Sequence, residues 1–162
     1  MDTSSIAIGA LLMILFVGPI IYMILKQNNR EKKRLKQLKK ISNQHQLEPH
    51  EIELTNSLLL GLDSRLKKLV VIEPLNNMQY TIIDLREIKQ SQVSKKGHPQ
   101  VNGAQGSPAI THISLDLLKN NSKESAAEII FYDEDDDTSY NAETQMFLAN
   151  KWDRIIRSAI SA

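Results

Sequence analysis

The sequence contains no cysteine and only one tryptophan among its 162 residues. Without cysteine, the chain can form neither a disulfide bond nor a thiolate metal site. The four histidines (His45, His50, His98 and His112) do not have the spacing of a metal-ligand motif. The sequence also lacks a G-x-S-x-G nucleophile elbow, a G-x-x-x-x-G-K-[ST] phosphate loop and a dinucleotide fingerprint. It therefore predicts a non-catalytic protein with no catalytic, cofactor-binding or metal-binding residues.

A second absence is that of charge between Ile6 and Leu25, a run of 20 residues without Asp, Glu, Lys or Arg. As a helix, this run would be about 30 Å long, which is the thickness of a bilayer core. A cleaved signal peptide would have basic residues before the run and a small-residue cleavage site after it. A buried helix of a soluble protein would be shorter. We therefore predict an uncleaved transmembrane helix over residues 6–25, preceded by an extracytoplasmic tail of residues 1–5.

The residues that follow the apolar run are strongly basic. Eight basic residues and one acid lie between Lys26 and Lys40, whereas no Lys or Arg precedes the run. Because positive flanks remain cytoplasmic, we expect a single-pass protein of the inner or plasma membrane with its N-terminus outside. We favour the interpretation that this stretch is a plain topology signal whose side chains are solvated. The functional alternative is contact with lipid headgroups, through Lys26, Arg30, Lys32, Lys33, Arg34 and Lys36. Nucleic acid is not expected as a partner, since groove-reading elements are missing.

Residues 26–50 are predicted to form a basic juxtamembrane helix and a linker, because Pro49 ends any helix. Residues 51–162 suffice for one compact domain. Apolar runs at 57–62, 67–73 and 78–85 predict strands, and the alternating run 112–118 predicts a hairpin with 127–132. The segment Ser94–Pro108 contains three Gly and two Pro, so we predict a flexible loop there.

The last predicted element is an amphipathic helix that begins after Asn141, a residue type that commonly caps helices. Its apolar face consists of Leu148, Trp152, Ile155, Ile156 and Ala159. From Ile41 to Ala162 there are 12 basic and 17 acidic side chains, a net charge of −5. An anionic membrane would repel this part while attracting the basic helix. We therefore expect the domain to hang away from the bilayer.

The strongest candidate site within the domain is an acidic run formed by Asp133, Glu134, Asp135, Asp136 and Asp137. Its alternating carboxylates are like the first half of a calcium-binding loop. The sixth position of such a loop requires Gly and the twelfth requires Glu, but here they are Thr138 and Thr144. We interpret the run as a solvated loop before a helix N-terminus, where negative charge is favoured. Weak divalent binding or docking of a basic partner are the alternatives.

Six or seven antiparallel strands closed by one C-terminal helix is the layout of a pleckstrin-homology-like domain. The segments Gly61-Leu62-Asp63, Lys67-Lys68-Leu69 and Ile83-Asp84-Leu85 with Ile88 resemble the first strands of small bacterial domains of that superfold. The resemblance covers residues 51–162 and extends to uncharacterised bacterial single-pass proteins. It implies a partly open barrel and a binding or scaffolding role. The basic loop with which eukaryotic relatives bind phosphoinositides is not matched.

These observations favour a membrane-anchored, non-catalytic interaction or scaffold protein with a cytoplasmic binding domain. Its expected partners are membrane lipid, through the anchor, and an unidentified protein; no small-molecule substrate is expected. Such a domain can offer a sheet edge, the acidic run or the predicted loop to its partner. The alternative is a small accessory subunit that is assembled through its transmembrane helix, for which Ser5 and Gly9 form a minimal small-xxx-small pair.

Overall fold

The computed structural model describes residues 3–74, 76–97, 109–119, 125–136 and 141–161, with side chains from Leu12 onward except that of Asn28. Over these residues the fold is α+β and comprises two antiparallel sheets and two α-helices. The elements are α1 (Thr3–Gln44), β1 (Glu51–Leu54), β2 (Leu59–Asp63), β3 (Lys68–Glu73), β4 (Gln79–Asp84), a 3-10 turn (Leu85–Glu87), β5 (Ile88–Gly97), β6 (Ile110–Lys119), β7 (Ser125–Asp133) and α2 (Ala142–Ser161).

Helix α1 is 42 residues long and includes Pro19. At 1.5 Å per residue its length is about 63 Å, twice the thickness of a bilayer core. By length and composition it can cross a membrane, with a mean hydropathy of 1.2 over its most apolar window. None of that window is buried by the rest of the described chain, and the side chains from Leu12 to Leu25 are exposed. Between Leu12 and Leu25, α1 therefore has an apolar surface that the described protein does not cover.

The C-terminus of α1 is closed by a left-handed residue. Gln46 has a φ of 57°, and its N–H donates to the carbonyl of Asn43 at 3.2 Å. The N–H of Leu47 donates to the carbonyl of Ser42 at 2.8 Å. This pair of hydrogen bonds is a Schellman motif, in which the residue after the left-handed one folds back onto the helix. Leu47 is consequently buried.

The last turns of α1 pack on the outer face of the four-stranded sheet. Leu38 is 0% exposed and forms a second hydrophobic cluster with Leu47, Leu59, Val70 and Ile72. A Cβ on Gly61 would lie 3.1 Å from Leu38 Cδ1 and 3.2 Å from Pro49 Cβ, so the absent side chain lets the helix approach β2 closely. Residues 44–50, predicted as a linker, thus form part of a packed interface.

The two sheets follow one another in the chain. Strands β1, β2, β3 and β4 form the first sheet in that order, and β5, β6 and β7 form the second, with every described pairing antiparallel. All residues of β2 and the middle of β3 are buried, because α1 covers one face of the first sheet and the main core covers the other. This explains why these strands are continuously apolar and do not alternate.

The main core lies between the two sheets and α2. The first sheet contributes Leu60, Leu62, Leu69 and Val71. The second sheet contributes Ile113, Leu115, Leu117, Ile129 and Phe131. Helix α2 contributes Ala149, Trp152, Ile156 and Ala159, while Leu148 and Ile155 are partly buried beside them. Asn141 caps α2 as predicted, since its Oδ1 accepts hydrogen bonds from the N–H groups of Glu143 at 2.9 Å and Thr144 at 3.3 Å.

The first four residues of the predicted flexible loop are in a strand. Ser94–Gly97 belong to β5, where Ser94 pairs with Ser114 and Lys96 with His112. Backbone pairing with β6 therefore overrides the low strand propensity of this segment. The rest of the predicted loop, residues 98–108, lies outside the described residues. The short strand β1 was not predicted at all.

A polar cluster around the buried Ser91 attaches α2 to β5. The hydroxyl of Ser91, which is 0% exposed, donates to Asp153 Oδ1 at 2.6 Å. Arg157 donates from Nη2 to the carbonyl of Ser91 at 2.9 Å and from Nε to Asp153 Oδ2 at 2.9 Å. The three residues thus satisfy one another's hydrogen-bonding groups at an edge of the second sheet.

We expect Asp153→Ala to lower the free energy of unfolding by about 1–3 kcal/mol, because it removes the acceptor of a buried hydroxyl. Urea denaturation monitored by the fluorescence of Trp152, the only tryptophan, measures the change. Arg154→Ala, on the exposed side of the same helix, is the control and is expected to cost less than about 0.5 kcal/mol. Equal losses in the two variants would contradict a structural role for the cluster.

Candidate functional site

A large cleft lies between α1 and the domain. We call it the juxtamembrane cleft; its volume is about 790 Å³. One wall is α1 from Tyr22 to Arg34, and the other is β1, the turn after it and the first two turns of α2. The lining residues include Tyr22, Lys26, Arg30, Glu31, Arg34, Glu53, Asn56, Asn141, Thr144 and Gln145.

Three cations of α1 lie on the wall of this cleft because of their spacing. Lys26, Arg30 and Arg34 are four residues apart, so they share one face of the helix. Lys26 Nζ lies 5.8 Å from the centroid of the Tyr22 ring. Arg34 Nη1 donates to Asn56 Oδ1 at 2.9 Å and links α1 to the turn after β1. Three of the six predicted headgroup contacts therefore face the domain.

The other three predicted cations point elsewhere. Lys33 lines an adjoining pocket of about 450 Å³ together with Tyr22, Lys26 and Arg30. Lys32 and Lys36 are exposed and line neither pocket. The basic stretch is thus divided by helix geometry into a cleft-lining group and a solvated group.

Two carboxylates moderate the positive charge of the juxtamembrane cleft. Glu31 lies on α1 and accepts from Gln27 Nε2 at 3.5 Å. Glu53, on β1, is neutralised by Lys151 of α2, with Oε2 and Nζ 2.7 Å apart. Because this ion pair is internal to the domain, the charge left facing the cleft is positive. Such a site can hold an anion with several oxygen acceptors.

Asp133, Asp135 and Asp136 of the acidic run line a second cleft, which we call the acidic cleft; its volume is about 430 Å³. Its lining consists of Ser57, Glu73, Asn76, Ile130, Asp133, Asp135 and Asp136. Ile130 is 45% exposed and provides an apolar centre among the carboxylates. The fold therefore adds Glu73, 60 positions earlier than Asp133, to the run found in the sequence.

Hydrogen bonds shape the acidic run into a turn. Asp133 Oδ1 accepts from the N–H of Asp135 at 3.1 Å, and its carbonyl accepts from the N–H of Asp136 at 3.1 Å. His112 lies between two carboxylates, with Nδ1 3.4 Å from Asp133 and Nε2 3.2 Å from Glu128. Glu134 and Asp136 also have partners of their own. Asp137 lies outside the described residues.

Chemistry of other kinds is not supported by the part of the chain that the structure describes. Within the described ranges, no three His, Cys, Asp or Glu side chains converge to hold a metal ion. The shifted pKa values lie outside both clefts. The hydrogen bond from Arg86 lowers the pKa of Asp84 to about 2, and Asp84 in turn raises the pKa of Arg86.

The juxtamembrane cleft was not predicted from the sequence. Its two walls are brought together by the packing of Leu38 on the sheet, and the only local signal was the apolar stripe Leu35, Leu38 and Ile41 at helical spacing.

Comparison of the chain with protein-family models, with curated proteins and with solved structures finds no match.

Proposed function

We propose that this protein is a membrane-anchored, non-catalytic interaction or scaffold protein whose domain presents a binding surface to another protein. The observation that carries the proposal is the double role of α1. From Leu12 to Leu25 it is apolar and exposed, whereas its last turns are part of the domain's hydrophobic interior. One helix thus joins an anchor to a folded domain without a free linker.

The proposed location is the inner or plasma membrane, with a single span and the N-terminus outside. The eight basic residues between Lys26 and Lys40, with none before the span, support this orientation. We also propose that the domain is pleckstrin-homology-like. A four-stranded sheet, then a three-stranded sheet and a C-terminal helix, in that chain order, are the support for this assignment.

The acidic cleft is the proposed contact surface for the protein partner. It combines carboxylates of Glu73, Asp133 and Asp135 with the exposed side chain of Ile130. Charged groups around an apolar centre are the usual composition of a protein interface. The partner is therefore expected to present basic side chains around an apolar one.

Crosslinking in intact membranes, followed by affinity capture of the full-length protein, tests this function. We expect Glu73→Lys with Asp135→Lys to reduce capture of the partner at least tenfold, because opposed charges become like charges across the interface. Both side chains are exposed, so the fold is expected to tolerate the change. Trp152 fluorescence verifies this.

The matched control is Glu48→Lys with Glu87→Lys, two exposed acids outside the acidic cleft. This double variant has the same net charge as the first and is expected to retain the partner. Loss of capture in both variants would mean that overall charge matters and the acidic cleft does not. A chain that alkaline carbonate extracts from membranes would contradict the anchoring.

A small accessory subunit assembled through its span is the second candidate, and Gly18 favours it. A Cβ on Gly18 would meet nothing within 4 Å, and this residue lines an apolar notch of about 280 Å³ with Met13, Ile14, Val17 and Ile21. Such notches allow close approach of a neighbouring membrane helix. If Gly18→Leu abolishes the complex while the acidic-cleft variants keep it, the accessory-subunit function replaces the scaffold function.

A further inference from the structure

We propose that the juxtamembrane cleft binds the headgroup of an anionic phospholipid that carries free hydroxyls, of which phosphatidylglycerol is the simplest. This inference rests on the membrane anchoring proposed above and extends it. A basic helix is attracted to any anionic membrane, whereas a cleft with placed donors and acceptors selects one kind of headgroup.

The position of the cleft relative to the bilayer follows from the distances of its residues along α1 from the end of the proposed span. If the span ends at Leu25, Arg30 lies about 7.5 Å further along the axis and Arg34 about 13.5 Å. The headgroup layer on each side of a bilayer is about 5–8 Å thick. Lys26 and Arg30 are therefore at the depth of lipid phosphates, and Tyr22 is at the boundary with the hydrocarbon.

The charges in the cleft suit a single phosphodiester. Lys26 and Arg30 provide positive charge, while Arg34 is held by its hydrogen bond to Asn56. Glu53 adds little opposing charge, because Lys151 pairs with it at 2.7 Å. Lys and Arg are the usual donors to phosphate oxygens in proteins. The start of α2 faces the same space, and the positive end of its helix dipole also favours an anion.

A second, independent feature indicates hydroxyl groups on the ligand. Gln145 lines the cleft, and its Oε1 is buried without a hydrogen-bond partner among the described residues. Buried acceptors in proteins are nearly always satisfied. A rotation of the Gln145 side chain that turns this oxygen toward the cleft lets a hydroxyl of the headgroup donate to it while the phosphate is held by the cations. Glu31 provides a further acceptor on the opposite wall.

Native mass spectrometry of the full-length protein in detergent micelles, titrated with short-chain lipids, tests the cation part of the proposal. We expect Lys26→Gln with Arg30→Gln to weaken binding of phosphatidylglycerol about tenfold or more, and binding of phosphatidylcholine by less than twofold. The matched control is Lys32→Gln with Lys36→Gln. It removes the same charge from the same helix but leaves the cleft intact, so a loss below twofold is expected.

Equal losses in the two double variants would overturn the site, because they would show that only the charge of the helix attracts the lipid. The proposed membrane anchoring would be refuted by a different result, namely release of the chain from membranes by alkaline carbonate. A chain that stays in the membrane while the two variants behave alike therefore refutes the cleft and leaves the anchor standing.

The hydroxyl part is tested with phosphatidylmethanol, which has the same phosphodiester charge but no hydroxyl. The wild-type protein is expected to prefer phosphatidylglycerol about fivefold, and Gln145→Leu is expected to remove that preference. Equal binding of the two lipids by the wild type would overturn this assignment. Displacement of the lipid by an equal concentration of soluble glycerophosphoglycerol would show that the ligand is a soluble phosphodiester, and would overturn the lipid source.

Discussion

Replacing Leu38 by Ala is expected to lower the free energy of unfolding of the domain by about 3 kcal/mol. The side chain is 0% exposed and fills the space between α1 and the first sheet. Truncation of a buried Leu removes its transfer free energy and leaves a cavity, with typical costs of about 2–5 kcal/mol. With an m value of about 2 kcal/mol/M, the urea midpoint of Trp152 fluorescence is expected to fall by about 1–2 M.

The matched control is Leu35→Ala, one turn earlier on the same helix. Leu35 is only partly buried and is not part of the cluster around Leu38. Its truncation is expected to cost less than about 1 kcal/mol. If α1 were joined to the domain by a free linker, both variants would unfold like the wild type, and that result would refute the packed interface.

Replacing Asp63 by Asn is the second change with a large expected effect. Asp63 is 0% exposed and joins two connections of the chain. Its Oδ2 accepts from the N–H of Glu48 at 2.8 Å, between α1 and β1, and its Oδ1 accepts from the N–H of Leu66 at 2.9 Å, between β2 and β3. Asn keeps only one acceptor oxygen. Because hydrogen bonds to charged groups contribute about 1.5–3 kcal/mol, we expect a loss of about 2–3 kcal/mol at pH 7.

The same carboxylate makes stability depend on pH. Burial raises the pKa of Asp63, but the hydrogen bonds from Glu48 and Leu66, with the charge of Arg65, outweigh it, so the pKa falls below its ordinary 3.8. A carboxyl with a lowered pKa stabilises the fold at pH values above the pKa that it has in the unfolded chain. This contribution is lost as the pH falls through the pKa that it has in the folded chain.

The difference in unfolding free energy between wild type and Asp63→Asn is therefore expected to be full at pH 7 and to shrink below pH 3.8. Urea midpoints measured at pH 7, 4 and 3 test this. Asp84→Asn is a positive control, because the hydrogen bond from Arg86 also lowers the pKa of Asp84 and its contribution is likewise expected to shrink in acid. A difference that stays constant down to pH 3 would contradict the role of the ionised carboxylate.

The sequence predicted those elements whose signals are local. The alternation of Ile113, Leu115 and Leu117 reports a strand with one face on the core, and that strand pairs with the predicted partner. Asn141 caps α2 because its side chain meets N–H groups two and three residues later. The apolar run is long enough to be recognised by length alone. In each case the interacting residues are neighbours in the chain.

Features that depend on distant residues were not predicted. Gln46 adopts a left-handed conformation without being Gly, so the helix end and the return of Leu47 had no clear local signal. The continuous apolar strands LLLGL and LVVI did contain information, since strands that are buried on both faces do not alternate. They indicated a second layer over the first sheet, and α1 is that layer.

The same distinction applies to the candidate sites. The positive charge after the apolar run was evident from composition, but helix spacing divides it between the cleft and solvent. Arg34 meets Asn56 across 22 positions, and Gln145 joins them from the last helix. The acidic run was likewise recognised, whereas Glu73 and Ile130 join it only in the folded chain.

The unbroken course of α1 into the domain has a mechanical consequence. A helix turns by about 100° per residue, and its last turns are fixed against Gly61 and Leu59. If α1 spans a membrane as proposed, a twist imposed on its apolar part by a neighbouring helix is transmitted as a rotation of the domain about the axis of α1. A single residue inserted after Leu25 would rotate the acidic cleft by about 100° around the helix axis. The number of residues in the helix therefore determines the direction in which the acidic cleft points.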